Sequence, residues 1–270
     1  MAPAGNVRSH DSTASVSNGS SDSPSAGPSS PKRAKVTVDQ GSESPKWIER
    51  IHQVLGHEKN KDLLDAKNIV LATVKDGQPY ARYHVFRGFV PSPGSKQDSE
   101  LLLTTTDVIM PKVDQIESSA TSTGGAPSEI IFWTSPTGDQ IRLRGLIYLY
   151  LPPSSSKDSD AESRQPIQDR FPEFDFESLR QEQWKTLSGH LRASFLRPKP
   201  GSEWLKEKKY EFQERLGVGE EGEEEAMKRF SLVVFDPTIV DHSEQNAQPP
   251  VRYVWTKQAD GSWEETQVAP

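Results

Sequence analysis

Apolar residues recur at two different spacings once the chain has passed residue 44. The first group follows the 3.6-residue period of a helix and predicts one buried helical face near residues 45–55. The members of this group are Trp47, Ile48, Ile51, Val54 and Leu55. Ser44 suits the N-cap of this helix and Pro45 suits its first position.

Beyond the helix, apolar residues come in short β-rich runs that are bounded by turn residues and predict about eight strands. They are expected at 69–74, 79–90, 101–105, 130–134, 140–151, 231–235, 238–241 and 251–256, with a last segment at 262–268. Helices are expected at 111–117, 176–195 and 203–215. Because hairpin turns such as Asp76-Gly77 link the strands and few helices intervene, the pattern favours an antiparallel sheet or barrel.

The first 44 residues have a different composition. They contain no Phe, Trp or Tyr and are rich in Ser, Pro, Gly and Ala, so we expect a disordered tail that cannot bury a core. The folded domain is therefore expected at 45–270. Polar inserts interrupt it at about 91–99, 118–128, 152–170 and 217–226.

Composition narrows the classes of protein. The 270 residues include no cysteine, which rules out disulfides, thiolate metal sites and a cysteine nucleophile. No apolar run approaches the ~20 residues that span a bilayer, and no secretory signal is present, so we expect a soluble intracellular, cytoplasmic protein. The formal net charge of −7 disfavours broad nucleic-acid binding. The basic cluster Lys32–Lys35 is either a nuclear-import signal or a few solvated charges in the tail.

Polar and cationic residues inside the predicted strands are the candidate chemistry. Arg82 interrupts an apolar strand and needs a partner if it is buried. Thr104–Asp107 is followed by Lys112 at the start of a helix, a combination that suits a phosphate group. Gln140, Arg142 and Arg144 recur at period two and share one strand face, which is either a ligand face or a solvent-exposed one.

Three segments and the C-terminal region carry a resemblance to a known family. They are Arg82–Phe89, Leu103–Asp107 with Lys112-Val113-x-Gln115-Ile116, Gln140–Gly145, and Arg252-Tyr253 with Trp263 and Val268–Pro270. In their order and spacing the chain resembles the pyridoxamine 5′-phosphate oxidase-like FMN-binding split-barrel family. Within it, the chain is most similar to the fungal and cyanobacterial branch.

The resemblance implies a mainly β fold, an antiparallel six-stranded split β-barrel with flanking helices. It also implies a homodimer with FMN at the dimer interface. Arg82 and Lys112 would bind the FMN phosphate. The remaining matches would contact the flavin ring, the ribityl chain or the substrate, and they are Arg87, Thr105, Thr106, Gln140 and Arg252. Gln140 would reach the ring from the partner subunit. Since strict alternation separates Arg82 from Arg87, the chain needs a bulge or strand end near Val85.

Two departures from the family pattern limit the functional prediction. Ile109-Met110 stand where this branch usually carries Arg-Ser, which removes two contacts from the phosphate loop. The residues that hold pyridoxal phosphate in true oxidases have no clear counterparts, so neither that reaction nor any catalytic residue is assigned. Three functions stay open: an FMN-dependent oxidoreductase of unknown substrate, with His84 or His242 near the ring; a non-catalytic flavin-binding protein; and a degenerate barrel that acts as an interaction protein.

Overall fold

The computed structural model describes residues 44–63, 65–95, 97–152, 166–203 and 212–270. The predicted tail, apart from Ser44, and its Lys32–Lys35 cluster lie outside the described residues. No helix in the described part of the chain is long and apolar enough to cross a membrane.

The described residues contain six helices and nine strands. The helices are α1 (Lys46–Gly56), α2 (Pro111–Ser118), α3 (Pro166–Arg170), α4 (Phe176–Thr186), α5 (Gly189–Ser194) and α6 (Glu223–Met227). The strands are β1 (Asn68–Lys75), β2 (Gln78–Val85), β3 (Gly88–Pro91), β4 (Asp98–Asp107), β5 (Ala126–Thr134), β6 (Asp139–Tyr150), β7 (Phe230–Glu244), β8 (Val251–Lys257) and β9 (Trp263–Val268).

The strands form one antiparallel sheet in the order β2-β1-β5-β6-β7-β4-β3, and β8 pairs with both β7 and β9. The six strands from β2 to β4 curl until the two ends meet. There, side chains rather than a strand ladder join the ends: His84 on β2 lies 3.2 Å from Thr104 Oγ1 on β4. We call this junction the seam. It confirms the expected antiparallel split barrel with flanking helices.

One core fills the barrel, and α1 closes it. The expected face of α1 is buried, although the helix begins at Lys46 and Pro45 is its N-cap residue, one position later than predicted. Trp47 is fully buried and its ring packs against Phe89 and Trp263, with ring centroids 6.0 and 5.4 Å away. A second core lies on the opposite face of β4, β6 and β7 beneath α4 to α6, where Trp184 packs against Phe230.

The expected strand at 79–90 is two strands. β2 ends at Val85 and β3 begins at Gly88, so the chain turns a corner at Phe86 and Arg87. The Phe86 amide donates to Lys67 O, the Phe86 ring enters the core, and Gly88 has a φ of 109° that favours glycine. The strand end required near Val85 is therefore present.

The expected strands at 231–235 and 238–241 are instead one strand, the 15-residue β7. Pro237 does not end it, because the register with β6 shifts beside Gly145, its partner, and a bulge tolerates a residue without an amide donor. A Cβ on Gly145 would lie 2.1 Å from Asp236 O, so the close approach at this bulge requires glycine.

The helices also differ from the predicted ones. The expected helix at 176–195 is two helices, because Ser188 interrupts it and its side chain caps α5 by accepting from the Leu191 amide. The described parts of two predicted polar inserts contain the short helices α3 and α6. Most of the predicted helix at 203–215 lies outside the described residues, and 212–215 are not helical.

Candidate functional site

Cationic and hydroxyl side chains fill the seam from both sides. Arg82 and His84 stand two residues apart on β2, so both turn toward the barrel interior, opposite the core residues Leu71 and Ile69 of β1. Thr104 and Thr106 do the same on β4. The period-two geometry of two strands thus brings a guanidinium, an imidazole and two hydroxyls to one place.

The Arg82 guanidinium is held in a fixed position by three acceptors. It donates to Leu71 O at 3.2 Å, to Thr73 Oγ1 at 2.7 Å and to Gln115 Oε1. Thr73 in turn donates to Gln115 Oε1 at 2.8 Å. All of these acceptors are neutral, and burial lowers the pKa of Arg82 from its ordinary value. The arrangement orients the cation without neutralising its charge.

Lys112 approaches the same place from the first turn of α2. Its Nζ donates to Thr106 Oγ1 at 3.2 Å. Burial and the nearby Arg82 charge lower the pKa of Lys112 to about 8, although Asp107 acts in the opposite direction. Asp107 is itself paired with Arg229, whose Nε lies 3.1 Å from Asp107 Oδ1. Among the described residues, no carboxylate pairs with Arg82 or Lys112, so the two cations suit an anionic ligand.

The loop before α2 offers this anion few backbone donors. The Ile109 amide donates to Asp107 Oδ1 at 3.0 Å, and the Met110 amide donates to Asp107 O at 3.1 Å. Both groups are therefore already used within the loop. An anion at the seam would be held by side chains, consistent with the replacement of the usual Arg-Ser pair by Ile109-Met110.

Arg87 occupies the corner between β2 and β3. Its amide donates to Leu103 O at 2.8 Å, which ties the corner to β4 across the seam. Burial lowers the pKa of Arg87, and its buried Nε has no hydrogen-bond partner among the described residues. An unsatisfied buried donor on a cation is a second indication of an absent acceptor.

Thr105 does not join the seam in this chain. It is paired with Leu232 of the second core and lies on the opposite face of β4 from Thr106. Thr104 takes the place beside His84 instead. Alternation along β4 could have revealed this arrangement, since residues 104 and 106 share a face.

Gln140 and Arg252 also lie away from the seam. Both are on the outer face of the barrel, because the neighbouring Ile141 is in the core, and both align with Ser243 of β7. Arg252 forms a two-pronged ion pair with Asp241, at 2.8 and 2.7 Å.

Arg142 and Arg144, the other two members of the period-two series on β6, share this outer face. Arg142 donates to Asp241 Oδ2 at 2.8 Å, and Arg144 is exposed. His242 points into the barrel, where its Nε2 lies 2.6 Å from Asp139 Oδ1. In the sheet order, three strands lie between its strand β7 and the strand β2 that carries His84. Within one chain, the structure thus brings together Arg82, Thr106 and Lys112 of the predicted cofactor residues. It adds Thr73, His84, Thr104 and Gln115.

Comparisons with known proteins agree with this fold. Residues 44–150 match the family model described as "Pyridoxamine 5'-phosphate oxidase, FMN-binding domain". A crystal structure of a pyridoxamine 5′-phosphate oxidase-related, FMN-binding protein from Nostoc punctiforme superimposes with a TM-score of 0.62. It is 27% identical, and the alignment covers 84% of this chain and 100% of that one.

A second solved structure has the same fold. It is PhzG from Burkholderia lata, in complex with tetrahydrophenazine-1-carboxylic acid, at a TM-score of 0.55 and 16% identity over 86% of this chain and 95% of that one. The search of curated proteins gave no match.

The class of protein follows from the split barrel and its cationic seam together with these matches. Over residues 44–150 the chain is similar to the pyridoxamine 5′-phosphate oxidase FMN-binding domain. FMN is the cofactor of that domain family, and its phosphate suits the seam, where two partly desolvated cations lack an acidic partner among the described residues.

Proposed function

We propose that this protein is a flavin-dependent oxidoreductase of unknown substrate that binds FMN at the seam. The observation that carries the proposal is the pair of cations Arg82 and Lys112, both partly buried and without a carboxylate partner among the described residues. A phosphate group would supply the missing negative charge. Because each charge-assisted hydrogen bond contributes about 1.5–3 kcal/mol, these two residues alone can dominate affinity for the phosphate end.

The other side chains have separate roles in this proposal. Thr106 donates its hydroxyl proton to the phosphate group beside Lys112, and Thr73 and Gln115 keep the Arg82 guanidinium in place. Arg87, whose Nε is unsatisfied, directs its charge toward the flavin ring or a bound substrate. When bound, the isoalloxazine ring supplies the electron-transfer chemistry, and the protein binds and orients it.

We propose that two copies form the complete site. Tyr83, Val85 and Trp133 are 79%, 40% and 47% exposed, and all three lie on the outer barrel face that also carries Gln140 and Arg252. Adjacent exposed apolar side chains are typical of an interaction surface. A second copy packed on this face would cover them, and Gln140 and Arg252 would then reach the partner's flavin ring. Residues 45–270 form the dimerising domain in this proposal, and residues 1–44 are a tail.

Titration of the full-length, flavin-free chain tests the cofactor assignment. The fluorescence of FMN should be quenched on binding and the quenching should saturate. Riboflavin, which lacks the phosphate, should bind at least tenfold more weakly. Arg82→Lys should retain part of the affinity and Arg82→Ala should lose it. Lys228→Ala at the C-cap of α6, which replaces an exposed lysine paired with Glu225, is the matched control and should bind as the parent does. Equal affinity for FMN and riboflavin would refute the phosphate site.

Turnover separates the oxidoreductase from the alternative of flavin binding without catalysis. That alternative is favoured by the phosphate loop, whose Ile109 and Met110 amides are already hydrogen-bonded and would hold the cofactor less firmly. Bleaching of the bound flavin near ~450 nm by a reduced nicotinamide, followed by reoxidation in air, supports the enzyme. A colourless dimer that does not take up FMN would instead support an interaction protein.

A further inference from the structure

We propose that His84 is a third phosphate-binding residue at the seam, and that one proton is taken up when a phosphate monoester binds there. The inference rests on the proposed FMN site and adds to it a residue and a proton. It starts from the hydrogen-bond geometry of the seam.

The hydroxyl of Thr104 fixes the tautomer of the His84 ring. Thr104 Oγ1 donates its single proton to Val85 O at 2.8 Å. Its lone pairs then accept from His84 Nδ1, which lies 3.2 Å away and must carry the ring proton of the neutral imidazole. The lone pair of the neutral ring is consequently on Nε2, the nitrogen at the far side of the ring from Thr104.

The charges that act on His84 are both positive. Arg82 precedes it by two residues on β2, and Lys112 faces it from α2. From β4 it meets the Thr104 hydroxyl, and its partner on β1 is the apolar Ile69. Burial, Lys112 and Arg82 lower the pKa of His84 to about 3, so the ring is neutral at pH 7 in the free protein.

A bound phosphate changes the sign of this local field. Its negative charges offset Arg82 and Lys112 and favour a proton between a phosphate oxygen and His84 Nε2. Free phosphate monoesters have a second pKa near ~6 and are mostly dianions at pH 7. When the phosphate dianion binds beside the neutral ring, the complex therefore takes up one proton from solvent. The proton balance is the same whether the phosphate or the ring holds it.

This third contact would compensate for the donors that the loop lacks. The side chains of Ile109 and Met110 donate no hydrogen bond, and their amides are occupied by Asp107. A histidine on β2 approaches the same anion from the opposite side of the seam. The site would thereby hold a phosphate through Arg82, Lys112 and His84.

Calorimetry of FMN binding at pH 7 measures the proton directly. The full-length, flavin-free chain is titrated in two phosphate-free buffers of different ionisation enthalpy. Since about nine-tenths of a phosphate monoester with a pKa near ~6 is dianionic at this pH, uptake of about 0.9 proton per FMN is expected. Lys112, with a pKa of about 8, adds only about a tenth of a proton. Affinity should fall about tenfold between pH 7 and pH 8.

Two variants assign the proton to His84. His84→Val should reduce uptake to the small Lys112 contribution and weaken FMN about tenfold or more, through loss of one charge-assisted contact. His84→Gln keeps an amide that can hydrogen-bond but cannot titrate, so it should recover affinity without recovering uptake. Unchanged near-ultraviolet circular dichroism confirms that each variant is folded.

The possible outcomes separate this inference from the proposed function. FMN binding with equal proton uptake in the parent and in His84→Val overturns the role of His84 and leaves the FMN site intact. If FMN does not bind, inorganic phosphate is titrated while the His84 ring resonances are followed by NMR. A rise in the pKa of His84 supports the phosphate contact without FMN, and an unchanged pKa overturns it.

Discussion

Replacement of Lys112 by methionine should make the flavin-free protein more stable and a poorer binder of FMN. The ammonium of Lys112 is half-buried beside Arg82, and partial burial together with the Arg82 charge lowers its pKa from the ordinary 10.5 to about 8. A shift of this size corresponds to about 3 kcal/mol of unfavourable free energy for the charged side chain at neutral pH. Methionine has similar length and no charge, so it removes this penalty.

The expected net gain in stability is smaller than that penalty. Lys112→Met also loses the hydrogen bond to Thr106, which contributes about 1 kcal/mol. The free energy of unfolding at pH 7 should therefore rise by about 2 kcal/mol, or roughly 4–8 °C in Tm for a domain of this size. FMN affinity should fall about 10- to 150-fold, since one charge-assisted contact contributes about 1.5–3 kcal/mol.

The pH dependence of stability has a defined sign. Between pH 8 and pH 10.5 the unfolded chain keeps a proton on Lys112 that the folded chain has lost, so the parent gains stability as the pH rises through this window. The difference in free energy of unfolding between Lys112→Met and the parent should therefore shrink as the pH rises. Urea unfolding at pH 7 and pH 9.5, without FMN, measures both effects.

Lys228→Met is the matched control for this experiment. Lys228 is the exposed C-cap residue of α6 and Glu225 raises its pKa, so its replacement should neither stabilise the protein nor change FMN binding. If Lys112→Met lowers the free energy of unfolding at pH 7, the ammonium is a favourable structural contact. Lys112 would then not be a cation that is held ready for an anion.

Three further changes test other parts of the structure. Asp241→Asn should lower the free energy of unfolding by about 2–3 kcal/mol, because it breaks a mostly buried pair with partly exposed arginines. Burial raises the pKa of Asp241, but the hydrogen bonds from Arg252 and Arg142 lower it by more, so the net pKa lies below its ordinary value. In urea titrations, the stability lost in Asp241→Asn should therefore be full above pH ~4 and should shrink in more acidic solution. Gly145→Ala should destabilise by about 2 kcal/mol or more in the same assay, with Gly56→Ala as a comparison site without a steric clash. Trp133→Glu should convert a dimer into a monomer in sedimentation experiments, whereas an unchanged sedimentation coefficient would exclude this face as the interface.

The strands were predictable because their signals are local. Alternating apolar residues and the Asp76-Gly77 turn specify β1 and its hairpin with β2 without reference to the rest of the chain. The break at Phe86 and Arg87 was implied only by the resemblance, which needed Arg82 and Arg87 to act together. The single β7 was missed because Pro237 is an ordinary strand terminator unless a bulge receives it.

The seam was less predictable, since it depends on which strands meet. No local pattern indicates that β2 and β4 lie side by side, with other strands between them in the sheet order. Arg82 and Lys112 were expected from the family motifs, and His84 was considered only in relation to the flavin ring. Thr73 could have been found as a polar residue at an inward position of an apolar strand, two residues from Leu71.

The length of β7 has a consequence for how the molecule unfolds. Val233 and Phe235 on one face of the strand belong to the barrel core, and Leu232 and Val234 on the other belong to the helical side. Loss of α4 to α6 would expose one face of β7, while the other face packs in the barrel core. Partial opening of the helices should therefore carry most of the free energy of global unfolding. In hydrogen exchange, amides of β7 and α4 should share one slow rate, as members of a single cooperative unit.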